Sequence, residues 1–189
     1  MSRRLVATLA ILALPAAVAH AQAAPQAEVG PKVGEMAPDF TLGGASIKGV
    51  FAAPITLSKY RGQTVVVAFF PKARTSGCTA QMTHYRDQWA TLFNGGKGIQ
   101  VIGVSMDADT TQANWAKEAN FPMLFASDPK GEAGLKYGSW VEGKTTESRL
   151  LYVVGPDGRI TYVAKPFKPL VDDAYTELGA AVKAASGQK

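Results

Sequence analysis

Apolar residues along this chain fall into two kinds of run. Thr64 to Phe70 (TVVVAFF) and Ile99 to Met106 (IQVIGVSM) are almost continuously apolar, the pattern of strands covered on both faces. Arg149 to Ala164 (RLLYVVGPDGRITYVA) holds two β-rich runs around Gly155-Pro156-Asp157-Gly158, where Pro and Gly predict the turn of a hairpin. Elsewhere the apolar positions recur at mostly helical spacing. Met82, Tyr85, Trp89, Leu92 and Phe93 predict an amphipathic helix that begins near Ser76 or Gly77. Asp109 to Asn120 (DTTQANWAKEAN) predicts a second helix, capped by Asp109 or Thr110, and Val171 to Ala185 (VDDAYTELGAAVKAA) a third. Gly34 to Leu42 (GEMAPDFTL) leads in as an extended segment, because Pro38 disfavours helix in the residue before it.

Strand, helix, strand, helix, hairpin and helix in that order predict an α/β protein with a mixed central sheet and helices on both faces, the order of a thioredoxin-like fold. The 189 residues, 47% hydrophobic and 19% charged, suit one such domain. The first 23 residues stand apart from it. Arg3 and Arg4 precede an uncharged apolar run from Leu5 to Ala19 that ends in small residues, the layout of a cleavable signal peptide. The alternative, a membrane anchor, needs roughly 20 apolar residues, and this run is shorter and holds Pro15. The expected organisation is a leader at 1–23, a linker at 24–32 and the domain at 33–189. The twin arginine permits either export route, although the following residues fit the twin-arginine pattern poorly. Removing Arg3 and Arg4 with the leader takes the net charge from +5 to +3. The remaining charges are scattered, so no nucleic-acid partner is expected, and no stable membrane insertion once the leader is gone.

Export to a bacterial periplasm or cell envelope sharpens the meaning of Cys78, the single cysteine. Structural disulfides within a chain need pairs, so an odd cysteine in an exported protein points to an intermolecular bond or a reactive thiol. Cys78 follows the first long strand and lies in the first turn of the next helix, where unpaired N–H groups favour a thiolate. It is also four residues before Met82, on the inward stripe. The plain alternative is a small, inert core residue. Position alone leaves both open.

The residues around it add to the picture. Pro71, Thr75 and Cys78 stand in the spacing Pro-x-x-x-Thr-x-x-Cys within FFPKARTSGCTAQ, which resembles the active-site signature of the peroxiredoxins, most closely the bacterioferritin-comigratory or Q-type branch. VGEMAPDFTL, LSKYRGQTVVVAFFPK, VIGVSMD, FASD and RLLYVVGPDGRI resemble further blocks of that family in the right order, from about Val33 to Ala164. The resemblance implies a thiol-dependent peroxidase with Cys78 as nucleophile. Thr75 would bring its hydroxyl beside the sulfur and the peroxide, Pro71 would shield the thiolate, and Arg149 would stabilise it and orient the peroxide. Each has a plainer reading: Pro71 as a strand end, Thr75 as a helix cap, Arg149 as a surface charge. His84 points about 120° away from Cys78 on a helix and is expected to be exposed or paired with Asp87. Asn94 to Gly98 (NGGKG) reads as a helix stop. Trp89 and Trp115 read as packing residues, and Trp140 as a candidate for the rim of the site.

The chain also departs from the family. Many Q-type members carry a second cysteine five residues after the first, where this chain has Thr83, and an acidic residue two places before it, where this chain has Gln81. Without an internal thiol, the sulfenic acid formed on Cys78 must be resolved from outside, by glutathione or by a glutaredoxin-like or thioredoxin-like protein. No metal, haem or flavin cofactor is implied. The competing class is a thioredoxin-like sensing or binding module that forms a mixed disulfide at Cys78 without turnover.

Overall fold

The computed structural model describes residues 29–187. The proposed leader and most of the linker lie outside these residues. The linker's last four residues lie against the domain, with Val29 O accepting from Lys165 Nζ at 3.0 Å and Lys32 N–H donating to Glu35 at 3.0 Å.

Among the described residues, eight strands form one mixed sheet. They are β1 (Thr41–Ser46), β2 (Gly49–Val50), β3 (Ile55–Thr56), β4 (Thr64–Phe69), β5 (Ile99–Ser105), β6 (Leu124–Ser127), β7 (Leu150–Val154) and β8 (Ile160–Ala164). Their order is β2-β1-β6-β5-β4-β7-β8, with β3 beside β1. Strands β4, β5 and β6 are parallel, whereas β7 runs antiparallel to β4. The helices are α1 (Ser76–Asp87), α2 (Trp89–Phe93), α3 (Asp109–Ala119), α4 (Glu132–Tyr137) and α5 (Asp172–Ser186).

The continuous apolar run of β4 has the expected cause. Val66, Ala68 and Phe70 belong to a core shared with Met82 and Tyr85 of α1, Phe93 of α2, Trp115 of α3 and Leu178 of α5. The alternate residues Val65, Val67 and Phe69 face a second core that contains Phe40, Leu57 and Tyr137 of α4. With a period of two along a strand, burial on both faces leaves no polar positions. Trp115 is buried among Phe70, Phe121 and Phe125, and Trp89 packs on Phe93.

Several local expectations are corrected. The helical run after Cys78 breaks at Gln88 into α1 and α2. Asn94 then ends α2 in the left-handed conformation, φ 51°, so the glycine-rich stop is real. The N-cap of α3 is Ala108, not Asp109 or Thr110, and Asp109 instead accepts from the Thr110 N–H at 2.7 Å. Strand β6 and the short helix α4 had no counterpart in the periodicity.

Candidate active site

The sheet itself brings the chemistry together. Cys78 lies in the first turn of α1, just beyond the C-terminal end of β4. Because β7 is antiparallel to β4, Leu150 pairs with Phe69, and Arg149, one residue before β7, arrives at the same edge. Because β5 is parallel to β4 and pairs Val104 with Phe69, the residues following Ser105 also arrive there.

Arg149 Nη2 donates to Cys78 Sγ at 3.2 Å, across 71 residues of sequence. The sulfur is fully buried, beside Phe70, Met82 and Tyr85 in the helix-side core. An inert core thiol needs no cation, and burying part of a guanidinium against it would carry a desolvation cost without return. A guanidinium donating to the sulfur marks Cys78 as more than a packing residue.

The second arm of the guanidinium is held as well. Arg149 Nη1 donates to Gln81 Oε1 at 2.5 Å, and Gln81 Nε2 donates to the Tyr85 hydroxyl at 2.8 Å. Since a guanidinium only donates, the amide oxygen must face it and the amide N–H must face the phenol. Burial pushes the Tyr85 phenol well above its ordinary range, so it meets the amide as a neutral acceptor. Gln81 and Tyr85 are both fully buried. The relay Tyr85–Gln81–Arg149 fixes the fork over Cys78. Sequence reasoning noted Gln81 as a departure from the family and missed it as a partner; its place three residues after Cys78, on the same helix face, was the available signal.

Thr75 and Pro71 flank the start of α1. Thr75 is the N-cap residue of α1, but its hydroxyl makes no capping bond and donates to Lys72 O at 2.9 Å. Among the described residues, no hydrogen bond joins it to Cys78. Pro71 lines a cleft of about 260 Å³ together with Lys72, Met106, Asp107, Thr145 and Thr146. A larger hollow of about 430 Å³ between α1, α2 and α5 is lined in part by His84, Gln88 and Lys183; neither it nor the cleft beside Pro71 is lined by Cys78 or Arg149, and the sulfur lies buried at the end of the sheet where Pro71 also sits. His84 stacks on Tyr175 at 3.5 Å and bonds Gln88 at 2.7 Å. Its expected partner Asp87 pairs with Arg86 instead. Trp140 donates to Lys144 O at 2.7 Å and is not among the residues lining the cleft beside Pro71. No cluster of three or more His, Cys, Asp or Glu suited to a metal occurs among the described residues.

A sheltered thiol at the mouth of a helix, gripped by an oriented guanidinium on a thioredoxin-like sheet, defines a cysteine-based redox protein. Residues 33–163 match the AhpC/TSA family. A putative peroxiredoxin of Haemophilus influenzae is 36% identical over 144 residues, covering 72% of this chain and 87% of the relative. Peroxiredoxin Bcp of Escherichia coli is 31% identical over 143 residues, with the same coverage. Among solved structures, peroxidoxin BcpB of Mycobacterium tuberculosis superimposes with a TM-score of 0.68 at 27% identity, over 81% of this chain and 97% of that one. The chain therefore belongs to the AhpC/TSA family: it is a peroxiredoxin, and its class of activity is thiol-dependent peroxide reduction.

Proposed function

We propose that Cys78 is the peroxidatic thiol of a one-cysteine cycle completed by an external thiol. The observation that carries this reading is the 3.2 Å approach of Arg149 Nη2 to the buried sulfur of the only cysteine. The thiolate attacks one oxygen of hydrogen peroxide or an organic hydroperoxide. The O–O bond breaks, and the departing oxygen leaves as water or an alcohol after taking a proton. Sulfur is oxidised by two electrons to the sulfenic acid. Negative charge grows on the departing oxygen, where a fixed guanidinium is worth most. The proton of the Thr75 hydroxyl is committed to Lys72 O, so its oxygen is left to accept from the peroxide O–H. Pro71, one residue beyond Phe70 of the helix-side core that also buries Cys78, would shield the thiolate on the strand side.

One reductant thiol then condenses with the sulfenic acid to a mixed disulfide and water. A second displaces Cys78 and leaves as the disulfide. Glutathione or a glutaredoxin-like or thioredoxin-like protein fits this role, since Thr83 stands where an internal thiol would. A steady-state assay with hydrogen peroxide and a panel of such thiols should show many turnovers per protein, all lost in Cys78→Ser. Consumption that stops near one equivalent with every thiol would mark a sensor and sink the enzymatic reading. We further propose that the protein acts in the periplasm after removal of residues 1–23, from the charged, apolar and small-residue layout. N-terminal sequencing of envelope material tests this, and an intact Met1 in a cytosolic fraction would overturn it.

A further inference from the structure

We propose that Asp107 is a positioning residue for Cys78, holding the arch between β4 and α1 closed for peroxide attack and setting how readily it opens for resolution. This rests on Cys78 being the peroxidatic thiol.

The arch from Phe70 to Thr75 has to be held from outside. At its start the Phe70 N–H bonds Val104 O at 3.0 Å. At its centre the Ala73 N–H donates to Asp107 Oδ2 at 2.7 Å, a backbone donor satisfied by a side chain from the end of the neighbouring strand. The same oxygen accepts from the Ser105 hydroxyl at 2.8 Å. Ser105 is fully buried, and its oxygen in turn accepts from Gln112 Nε2 at 3.0 Å. Gln112 also donates to Ala126 O at 3.1 Å. The carboxylate is thus aimed by a buried network tied to β5, α3 and β6, so its position is set by the rigid sheet. The next residue, Arg74, is one of three non-glycine residues with positive φ among the described residues, at 66°. That conformation is unfavourable for arginine, and its side chain is clamped to Glu118 of α3. A backbone held in this way relaxes when its anchors are lost.

Two demands meet at this arch. Peroxide attack needs Thr75, Cys78 and Arg149 in register, and a misplacement of about 1 Å can cost on the order of 100-fold. Peroxide is small, whereas resolution brings a much larger thiol to a sulfur with no exposed surface, so it needs a wider local opening than peroxide entry does. A bond that must persist for the first step and break for the second moves the two rates in opposite directions. General loosening of the fold would also expose the sulfur and quicken alkylation, so rescue by an amide that keeps the oxygen for Ala73 is what separates positioning from a lost fold.

The test compares Asp107→Ala and Asp107→Asn with the wild-type protein. The reduced proteins are mixed with hydrogen peroxide in single-turnover reactions, and Cys78 is alkylated with a bulky maleimide. For Asp107→Ala we expect peroxide reduction to slow about 10- to 100-fold, while alkylation quickens about tenfold as a charge-assisted bond is lost. Asparagine keeps an oxygen for the Ala73 N–H, so Asp107→Asn should stay within about threefold of wild type in both. Parallel losses, no change, or an asparagine variant as impaired as alanine would each overturn the proposal. Should the alanine variant fail to fold, amide exchange of the wild-type peptide spanning 71–75 decides: protection is expected, and free exchange would overturn it. If wild-type protein does not react with peroxide, the peroxidatic assignment itself fails, whereas the alkylation and exchange readouts still report on the hold of Asp107.

Discussion

The guanidinium beside Cys78 has its two arms separately committed. One donates to the sulfur and the other to Gln81. Lysine at 149 would keep the charge but cannot present a rigid planar fork to both partners. Arg149→Ala should slow peroxide reduction about 100- to 1000-fold, the scale set by removal of one preorganised donor, and Arg149→Lys should recover only part of that loss. Gln81→Leu tests the relay from its other side. It leaves the Tyr85 hydroxyl and one arm of Arg149 without a buried partner, so we expect a stability loss of about 1–3 kcal/mol together with slower peroxide reduction. Denaturant unfolding and stopped-flow kinetics measure the two effects. If Gln81→Leu lowers stability but leaves the peroxide rate untouched, the relay packs the core without aiming the guanidinium.

Among the elements, α1 has an intrinsically weak start. Its N-cap side chain is turned away to Lys72 O, and Gly77 sits in its first turn, where glycine costs about 1 kcal/mol relative to alanine. Burial of Cys78, Met82 and Tyr85 holds the helix more than its own propensity does. On an intact helix, positions 78 and 83 point roughly 140° apart, so a disulfide between them requires that the first turns unwind. We expect Thr83→Cys to form an intramolecular disulfide after one equivalent of peroxide, with a measurable loss of helical signal. A persistent sulfenic acid beside a free thiol at 83 would show that packing outweighs the weak start. The same contrast explains what could be read in advance. Strands β4, β5, β7 and β8 were legible because burial on both faces and a Pro-Gly turn leave local patterns. Cys78 and Arg149 could be placed, but their 3.2 Å contact follows from the antiparallel pairing of β4 with β7, which no local pattern encodes. Asp107 was invisible as a positioning group for a similar reason, since its partner is a backbone N–H 34 residues away. Strand β6 and helix α4 are too short to show a period.

At the scale of the whole molecule, two cores flank one sheet, and a buried carboxyl without a hydrogen-bonding partner among the described residues makes its stability depend on pH. Glu147 is 2% exposed, and among the described residues no hydrogen bond of ordinary geometry reaches either of its oxygens. Asp128 lies nearby, with its own oxygens accepting from the Glu132 and Gly134 N–H groups at 2.8 and 2.9 Å. Burial, reinforced by the Asp128 charge, pushes the Glu147 carboxyl up from 4.5 to about 9. At neutral pH the folded protein therefore keeps this proton, whereas the unfolded chain releases it. Folding takes up a proton between the two values, so this group's contribution is fully present below about pH 4.5 and is lost as pH rises toward 9. The limiting slope for one proton is about 1.4 kcal/mol per pH unit. Glutamine has the same shape, carries no titrating proton and can donate to Asp128. Glu147→Gln should therefore be more stable than the wild-type protein at neutral pH, and the gap should widen as pH rises from 5 to 9. Urea unfolding at several pH values measures the difference and cancels the titration of every group common to both proteins. Parallel stability curves across that range would mean that Glu147 is ionised in the folded state and that a partner or a water compensates the buried charge.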